Sequence, residues 1–275
     1  MSEQYIRELI VARELAVRAG KEVMRIRGGG ELGVEMKPGD EPVTLADQLA
    51  SELIVKGLRA AFPEDPVISE EVPATPAELG VRRVWLVDPI DGTKDFIRGG
   101  DGFAVMIGLL VDAVPVLGVV HQPTLERTFY GTPESSYVVT PGVAPQALAV
   151  STIASAAEAR LVASASHRSA DIDRVKSTLG IENELNVGSV GVKLCLISMG
   201  VRDLYVNPAA KTKAWDTCAP EAILRGAGGT LTDLFGAPVE YRTELAHKRG
   251  LVGSNGHVHA EVVGKLSPLF AQMRP

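Results

Sequence analysis

Two apolar runs, Phe103–Val111 and Val114–His121, are separated only by Asp112-Ala113, and this pairing limits the fold more than any other feature of the chain. Two β-type runs joined by two residues read as a tight hairpin. A shorter apolar run, Val84–Val87, adds a further strand. Upstream the period changes. Ile6, Leu9, Ile10, Leu15, Ala16, Ala19 and Val23 recur at three-to-four spacing, so residues 4–27 read as an amphipathic helix that Gly28, Gly29 and Gly30 stop. A second helix opens at Thr44, carries Leu49, Leu53, Leu58 and Phe62 on one face, and ends before Pro63. Beyond Thr140-Pro141-Gly142 strands alternate with helices. Ala147–Val150 and Arg160–Ala163 read as strands; Ser169–Leu179, Ser189–Met199 and Asp216–Arg225 read as helices. Interleaved sheets and helices indicate a layered α/β (α+β) architecture. A boundary near residue 145 divides it into lobes 1–145 and 146–275. There is no internal repeat.

Composition removes several classes. The chain of 275 residues is 45% hydrophobic and 23% charged, ordinary for a protein that buries a core. A net charge of -6 and 5% aromatic content give neither the basic stripe nor the stacking surface of a nucleic-acid binder. They leave room for a small anionic substrate, because bound cations reverse the field of an acidic cleft. Cys195 and Cys218 are too few for a disulfide framework, fit no metal-type pair, and read as buried reduced thiols. Charges throughout Met1–Arg27 oppose a secretory signal, and the longest apolar run falls far short of the ~20 residues of a membrane span. The expectation is a cytoplasmic protein, monomer or homodimer.

The most informative segment is Trp85-Leu86-Val87-Asp88-Pro89-Ile90-Asp91-Gly92-Thr93-Lys94-Asp95-Phe96. An apolar strand delivers Asp88 at its end, Pro89 interrupts the ladder, and Asp91-Gly92 turns the chain. Two carboxylates on one turn are hard oxygen ligands of the kind Mg²⁺ takes. Gly92 and Thr93 add backbone N–H groups and a hydroxyl suited to a phosphate. Taken alone, Asp-Gly-Thr is an ordinary Asx turn, the pair Glu70-Glu71 a solvated edge, Thr44-x-x-Asp47 a capping box, and Asp216 a helix N-cap.

Together these motifs do more. In order and spacing, Thr44-x-x-Asp47, Glu70-Glu71, Asp88-Pro89-Ile90-Asp91-Gly92-Thr93 and Trp215-Asp216 resemble the signature of the inositol monophosphatase superfamily over roughly residues 40 to 230. The resemblance implies an αβαβα sandwich of the inositol monophosphatase/fructose-1,6-bisphosphatase type, two or three Mg²⁺ ions, and lithium sensitivity. It implies that Glu70, Asp88 and the Ile90 carbonyl bind one metal, that Asp88, Asp91 and Asp216 bind a second, and that Glu70 helps hold a third. Asp47 and Thr93 would orient and deprotonate the attacking water.

Within the superfamily the chain most resembles the 3'(2'),5'-bisphosphate nucleotidases, including those of bacterial sulfate assimilation. The resemblance rests on Asp91-Gly-Thr-Lys-Asp-Phe96, Trp215-Asp-Thr-Cys-Ala-Pro-Glu-Ala-Ile-Leu224, Ser164-Ala-Ser-His167 and Gly188-Ser189-Val-Gly-Val-Lys193. It implies a nucleotide bisphosphate substrate held by Gly92, Thr93, Ser164, His167, Ser189, Lys193 and Asp216; the alternative is an inositol monophosphatase of broad specificity. The 189–199 helix would offer its N-terminus to an anion, with Lys193 one turn in. Val190 and Val192, bracketing Gly191, depart from the eukaryotic pattern. His121, His247, His257 and His259 form no constellation, and His257-Val-His259 reads as a strand face or a solvated C-terminal feature.

Overall fold

The computed structural model describes residues 3–39, 41–72, 76–165 and 169–273. Helix α1 (Ile6–Gly29) buries Leu9, Ala12, Leu15, Ala16, Ala19 and Val23 along one stripe. It absorbs Gly28 and Gly29 and stops at Gly30, whose left-handed φ of 81° closes the last turn onto the Arg27 carbonyl. A ribbon of β1 (Glu35–Lys37) and β2 (Glu41–Val43) leads to α2 (Leu45–Ala61). The buried face of α2 is Ala46, Ala50, Ile54, Val55 and Leu58, with Leu49 and Leu53 at its edge.

The first sheet has seven strands in the order β3-β4-β5-β6-β7-β8-β9. They are β3 (Val67–Ser69), β4 (Arg83–Asp91), β5 (Ala104–Val111), β6 (Val114–Gln122), β7 (Arg127–Thr132), β8 (Ser135–Val139) and β9 (Gln146–Ala147). A single helical turn, α3 (Thr93–Ile97), follows β4. β5 and β6 form the expected hairpin, with Val111 opposite Val114. Asp112 and Ala113 take positive φ values of 52° and 62°, as a two-residue hairpin turn requires. The strand expected over Ala147–Val150 shrinks to β9, because the Val150 N–H donates instead to the Ala227 carbonyl.

The second sheet runs β11-β10-β12-β14-β13. In chain order its elements are β10 (Leu161–Ser164), α4 (Ala170–Leu179), β11 (Glu184–Val187), α5 (Val190–Ser198), β12 (Leu204–Asn207), α6 (Ala214–Gly226), β13 (Thr230–Thr232), β14 (Leu251–Ser254) and α7 (His259–Leu266). His257-Val258-His259 is not a strand: it leads into α7, where His259 pairs with Thr232 and Ser254 at 2.9 Å each.

The layers alternate α, β, α, β, α. α1 and α2 cover one face of the first sheet, α5 and α6 fill the space between the sheets, and α4 and α7 cover the far face of the second. Side chains of β5 alternate accordingly, Val105 and Ile107 toward α1 and α2, Ala104 and Met106 toward α5 and α6. Both cysteines are buried and free on the middle helices. α6 lies very close to the first sheet, since a Cβ on Gly118 would collide with the Ala219 carbonyl oxygen. That approach brings the start of α6 to the end of β4. Among the described residues no helix is long and apolar enough to cross a membrane.

Candidate active site

The end of β4 gathers the acids. β4 pairs with β5 up to Asp88 opposite Met106, shifts register, and resumes at Asp91 opposite Ala104. That irregularity spans Pro89, which has no N–H for the ladder. Gly92 then turns the chain at φ 97°, and a Cβ there would meet the Gly102 carbonyl oxygen at 2.8 Å. Asp216 reaches the same place from α6. It is the third residue of that helix rather than its cap, and its Oδ2 accepts the Lys213 N–H at 2.6 Å. One carboxylate oxygen each from Asp88, Asp91 and Asp216 lies within 4.8 Å of the others.

Such a cluster is unfavourable by itself. Two unit charges at that separation repel by about 3–4 kcal/mol at an effective dielectric near 20. Burial, then the neighbouring carboxylates, push the Asp88 and Asp216 carboxyls well above the usual range. Asp88 Oδ1 is buried with no hydrogen-bond partner. Hard oxygen donors, a partnerless buried oxygen and mutual repulsion are what a divalent cation of the Mg²⁺ type would satisfy, so these residues fit one.

Glu70 follows β3, which runs parallel to β4, and its N–H donates to the Val87 carbonyl at 3.1 Å. Burial pushes its carboxyl up to about 7, against the pull of Lys37. Lys37, on β1, spans both glutamates, 3.4 Å from Glu70 and 2.6 Å from Glu71. Nothing local in the sequence marks that lysine, since its partners lie more than thirty residues away.

Asp47 has two jobs divided between its oxygens. Oδ2 completes the capping box of α2, accepting the Thr44 N–H at 2.8 Å and the Thr44 hydroxyl at 2.5 Å. Oδ1 faces Thr93, whose Oγ1 is 3.2 Å away and also 3.0 Å from the Ile90 carbonyl oxygen. The single Thr93 hydrogen serves one of these at a time. Burial raises the Asp47 carboxyl to about 6.

The cleft above the cluster measures about 410 Å³ and is lined by Glu70, Asp88, Ile90, Asp91, Gly92, Thr93, Ser164, Lys193 and Asp216. Tyr205 and Asn207 of β12 and Lys211 and Lys213 before α6 line it as well, and no motif pointed to them. His167 lies outside the described residues. One expectation needs correction. The N-terminus of α5 is not open to a substrate anion, because Asp91 Oδ2 already accepts the Ser189 hydroxyl at 2.5 Å and the Gly191 N–H at 2.7 Å. Ser189, fully buried, also caps its own helix by accepting the Val192 N–H. Lys193, expected at the substrate, lines the cleft with a buried side chain that donates to the Val187 and Gly188 carbonyls at 3.1 and 2.7 Å. Burial lowers it to about 8, against the attraction of Asp91, Asp95 and Asp216.

The sequence profile of the inositol monophosphatase family matches residues 6–269. The chain belongs to that family, whose members are phosphatases. It is 35% identical to the 3'(2'),5'-bisphosphate nucleotidase CysQ of Salmonella typhimurium over 230 residues, 83% of this chain and 91% of that protein. It is 33% identical to the histidinol-phosphatase of Mycobacterium tuberculosis over 265 residues, 94% and 98% of the two chains. Among solved structures, the Thermotoga maritima IMPase superimposes with a TM-score of 0.82 at 26% identity, covering 98% of this chain and 100% of the other. CysQ from Bacteroides thetaiotaomicron gives 0.75 at 26% identity, covering 93% and 99%.

Proposed function

We propose that this chain is a Mg²⁺-dependent phosphomonoesterase that removes the 3'-phosphate of 3'-phosphoadenosine 5'-phosphate, giving AMP and phosphate. The observation that carries the phosphatase chemistry is the Asp88–Asp91–Asp216 cluster, with its partnerless Asp88 Oδ1, beside the Thr93–Asp47 pair. Glu70, Asp88, Asp91, Asp216 and the Ile90 carbonyl are the groups that would hold two or three cations. Held by these groups, cations would supply the positive charge against the phosphoryl oxygens that this slow reaction chiefly demands.

The chain's own groups do the rest. Thr93 Oγ1 and Asp47 Oδ1 orient a water molecule toward phosphorus. As its oxygen bonds to phosphorus and the ester P–O bond breaks, its proton passes to Asp47 Oδ1, and the departing 3'-oxygen takes a proton from solvent water to become the 3'-hydroxyl of AMP. A carboxylate with its pKa near 6 is a usable base at neutral pH. Ser164 and the buried Lys193 line the cleft where the nucleotide and its second phosphate would sit, with Gly92 and Thr93 toward the scissile one; His167 is assigned to the nucleotide from the Ser164–His167 string alone.

The nucleotide substrate is supported by the CysQ relatives and by the Lys94-Asp95-Phe96 and Trp215–Leu224 strings. A second reading, histidinol phosphate, is supported by the fuller coverage of the Mycobacterium tuberculosis relative. Thr93→Ala tests the shared chemistry: turnover falls while a non-hydrolysable analogue still binds by calorimetry. Equal loss of binding and turnover would give Thr93 a structural role instead.

A further inference from the structure

Four buried polar side chains beside Asp216 take no part in the reaction proposed above: Thr217 and Glu221 on α6, and Tyr241 and His247 on the segment between β13 and β14. They form one chain of contacts. Glu221 Oε2 lies 2.6 Å from Tyr241 Oη, Tyr241 Oη lies 2.9 Å from Thr217 Oγ1, and Thr217 Oγ1 lies 2.7 Å from His247 Nε2. The two rings meet edge to face with centroids 5.5 Å apart, which holds both in place.

The backbone around them is tied as well. The Ala214 N–H donates to the Leu245 carbonyl at 2.7 Å and the His247 N–H to the Thr212 carbonyl at 2.9 Å, bracketing the Lys213–Ala246 bridge. Lys213 in turn donates its N–H to Asp216.

This bracing meets a need set by the sequence. Pro220 stands inside α6 and has no N–H, so the Asp216 carbonyl four residues earlier lacks its ladder donor. The turn that presents Asp216 is therefore one helical bond short, and it is the turn on which Tyr241 and His247 converge. Burial keeps His247 uncharged near neutral pH, pushed down to about 4, so the contact to Thr217 is a hydrogen bond between neutral groups.

We propose that Tyr241 and His247 are positioning residues for Asp216: gripping Thr217 from two sides, they set how the Asp216 carboxylate enters the Asp88–Asp91 cluster and thereby the affinity for the divalent cation. This role rests on Asp216 being a cation ligand. Residues that orient metal ligands are worth roughly 10–100-fold in affinity or activity.

The test is a Mg²⁺ titration of the cation-free full-length protein, read as the concentration giving half of the thermal shift, for wild type, Tyr241→Phe, His247→Leu and His247→Gln. Tyr241→Phe and His247→Leu should each raise the midpoint by about tenfold. Their kcat should fall at limiting Mg²⁺ and recover at saturating Mg²⁺, with KM for the phosphate ester nearly unchanged. His247→Gln, which keeps a polar group facing Thr217, should recover most of the affinity. Midpoints within about twofold of wild type, with only a lower Tm in the absence of cation, would reduce the pair to core packing and overturn the proposal. If His247→Leu does not fold, Tyr241→Phe, which removes one oxygen atom, decides alone. A wild type with no Mg²⁺-dependent shift would instead overturn Asp216 as a cation ligand, and the positioning role with it.

Discussion

Ser189 donates its hydroxyl hydrogen to Asp91 Oδ2 at 2.5 Å across 98 residues of sequence. Gly191 donates to the same oxygen, so Oδ2 is committed to α5 and Oδ1 is the oxygen left to Asp88 and Asp216. The two sheets are stitched at this point, for Ser189 N also donates to the Gly102 carbonyl at 2.8 Å and Gly188 N to Asp95 at 3.1 Å.

Ser189→Ala should therefore act on the cluster and not on substrate contact. Losing a buried hydrogen bond to a carboxylate costs about 1.5–3 kcal/mol. The expected result is a lower Tm and a higher Mg²⁺ requirement, with KM at saturating Mg²⁺ little altered. A large rise in KM at unchanged Mg²⁺ requirement would return Ser189 to the substrate site.

Asp88→Asn should separate function from stability. Turnover should fall below about a tenth of wild type, because metal-held charge supplies several kcal/mol. The cation-free variant should nevertheless melt higher than wild type at pH 8, since one of three crowded carboxylates loses its charge. Thermal melts in chelator check this. A lower Tm for the variant would mean that Asp88 stabilises the fold by a contact other than those described.

The cation-free protein should lose stability as pH rises from 6.5 to 8. Glu70 and Glu221, pushed up to about 7, and Asp88 and Asp216, pushed well above the usual carboxylate range, keep protons in the folded chain that the unfolded chain has already released. Their stabilising contribution is lost as pH passes their folded values. Groups of opposite sign act outside the window: His121 and His247, both lowered to about 4, offset part of the loss only below their ordinary value of 6.5, and Lys193, lowered to about 8, adds stability with pH only above that value. Mg²⁺ should raise Tm more at pH 8 than at pH 6.5, because it replaces those protons. A cation-free Tm that climbs through the window, or an equal Mg²⁺ effect at both pH values, would contradict this.

What could be read in advance was what each segment states locally. The β5–β6 hairpin announces itself through two apolar runs and a two-residue gap, and α1 through its stripe. Asp88 and Asp91 share one turn, so their proximity follows from chain geometry. The partner of Ser189 does not, because the hydroxyl that looks free at a helix start is taken by an acid from the other sheet. Lys37 is hidden for the same reason. β11, reading Glu184-Leu-Asn-Val187, and the short β13 carry too few apolar residues to stand out, and their pairing is set by neighbours distant in sequence. His247 showed no constellation because Thr217 lies 30 residues away.

Cation dependence and the proposed preference for a nucleotide bisphosphate are both read from kcat/KM for phosphate release from 3'-phosphoadenosine 5'-phosphate, inositol 1-phosphate and histidinol phosphate, each with Mg²⁺ and with chelator. Release is expected only with Mg²⁺, with kcat/KM highest for 3'-phosphoadenosine 5'-phosphate. A higher value for inositol 1-phosphate or histidinol phosphate would contradict the nucleotidase assignment, and release undiminished by chelator would contradict the role given to Asp88, Asp91 and Asp216.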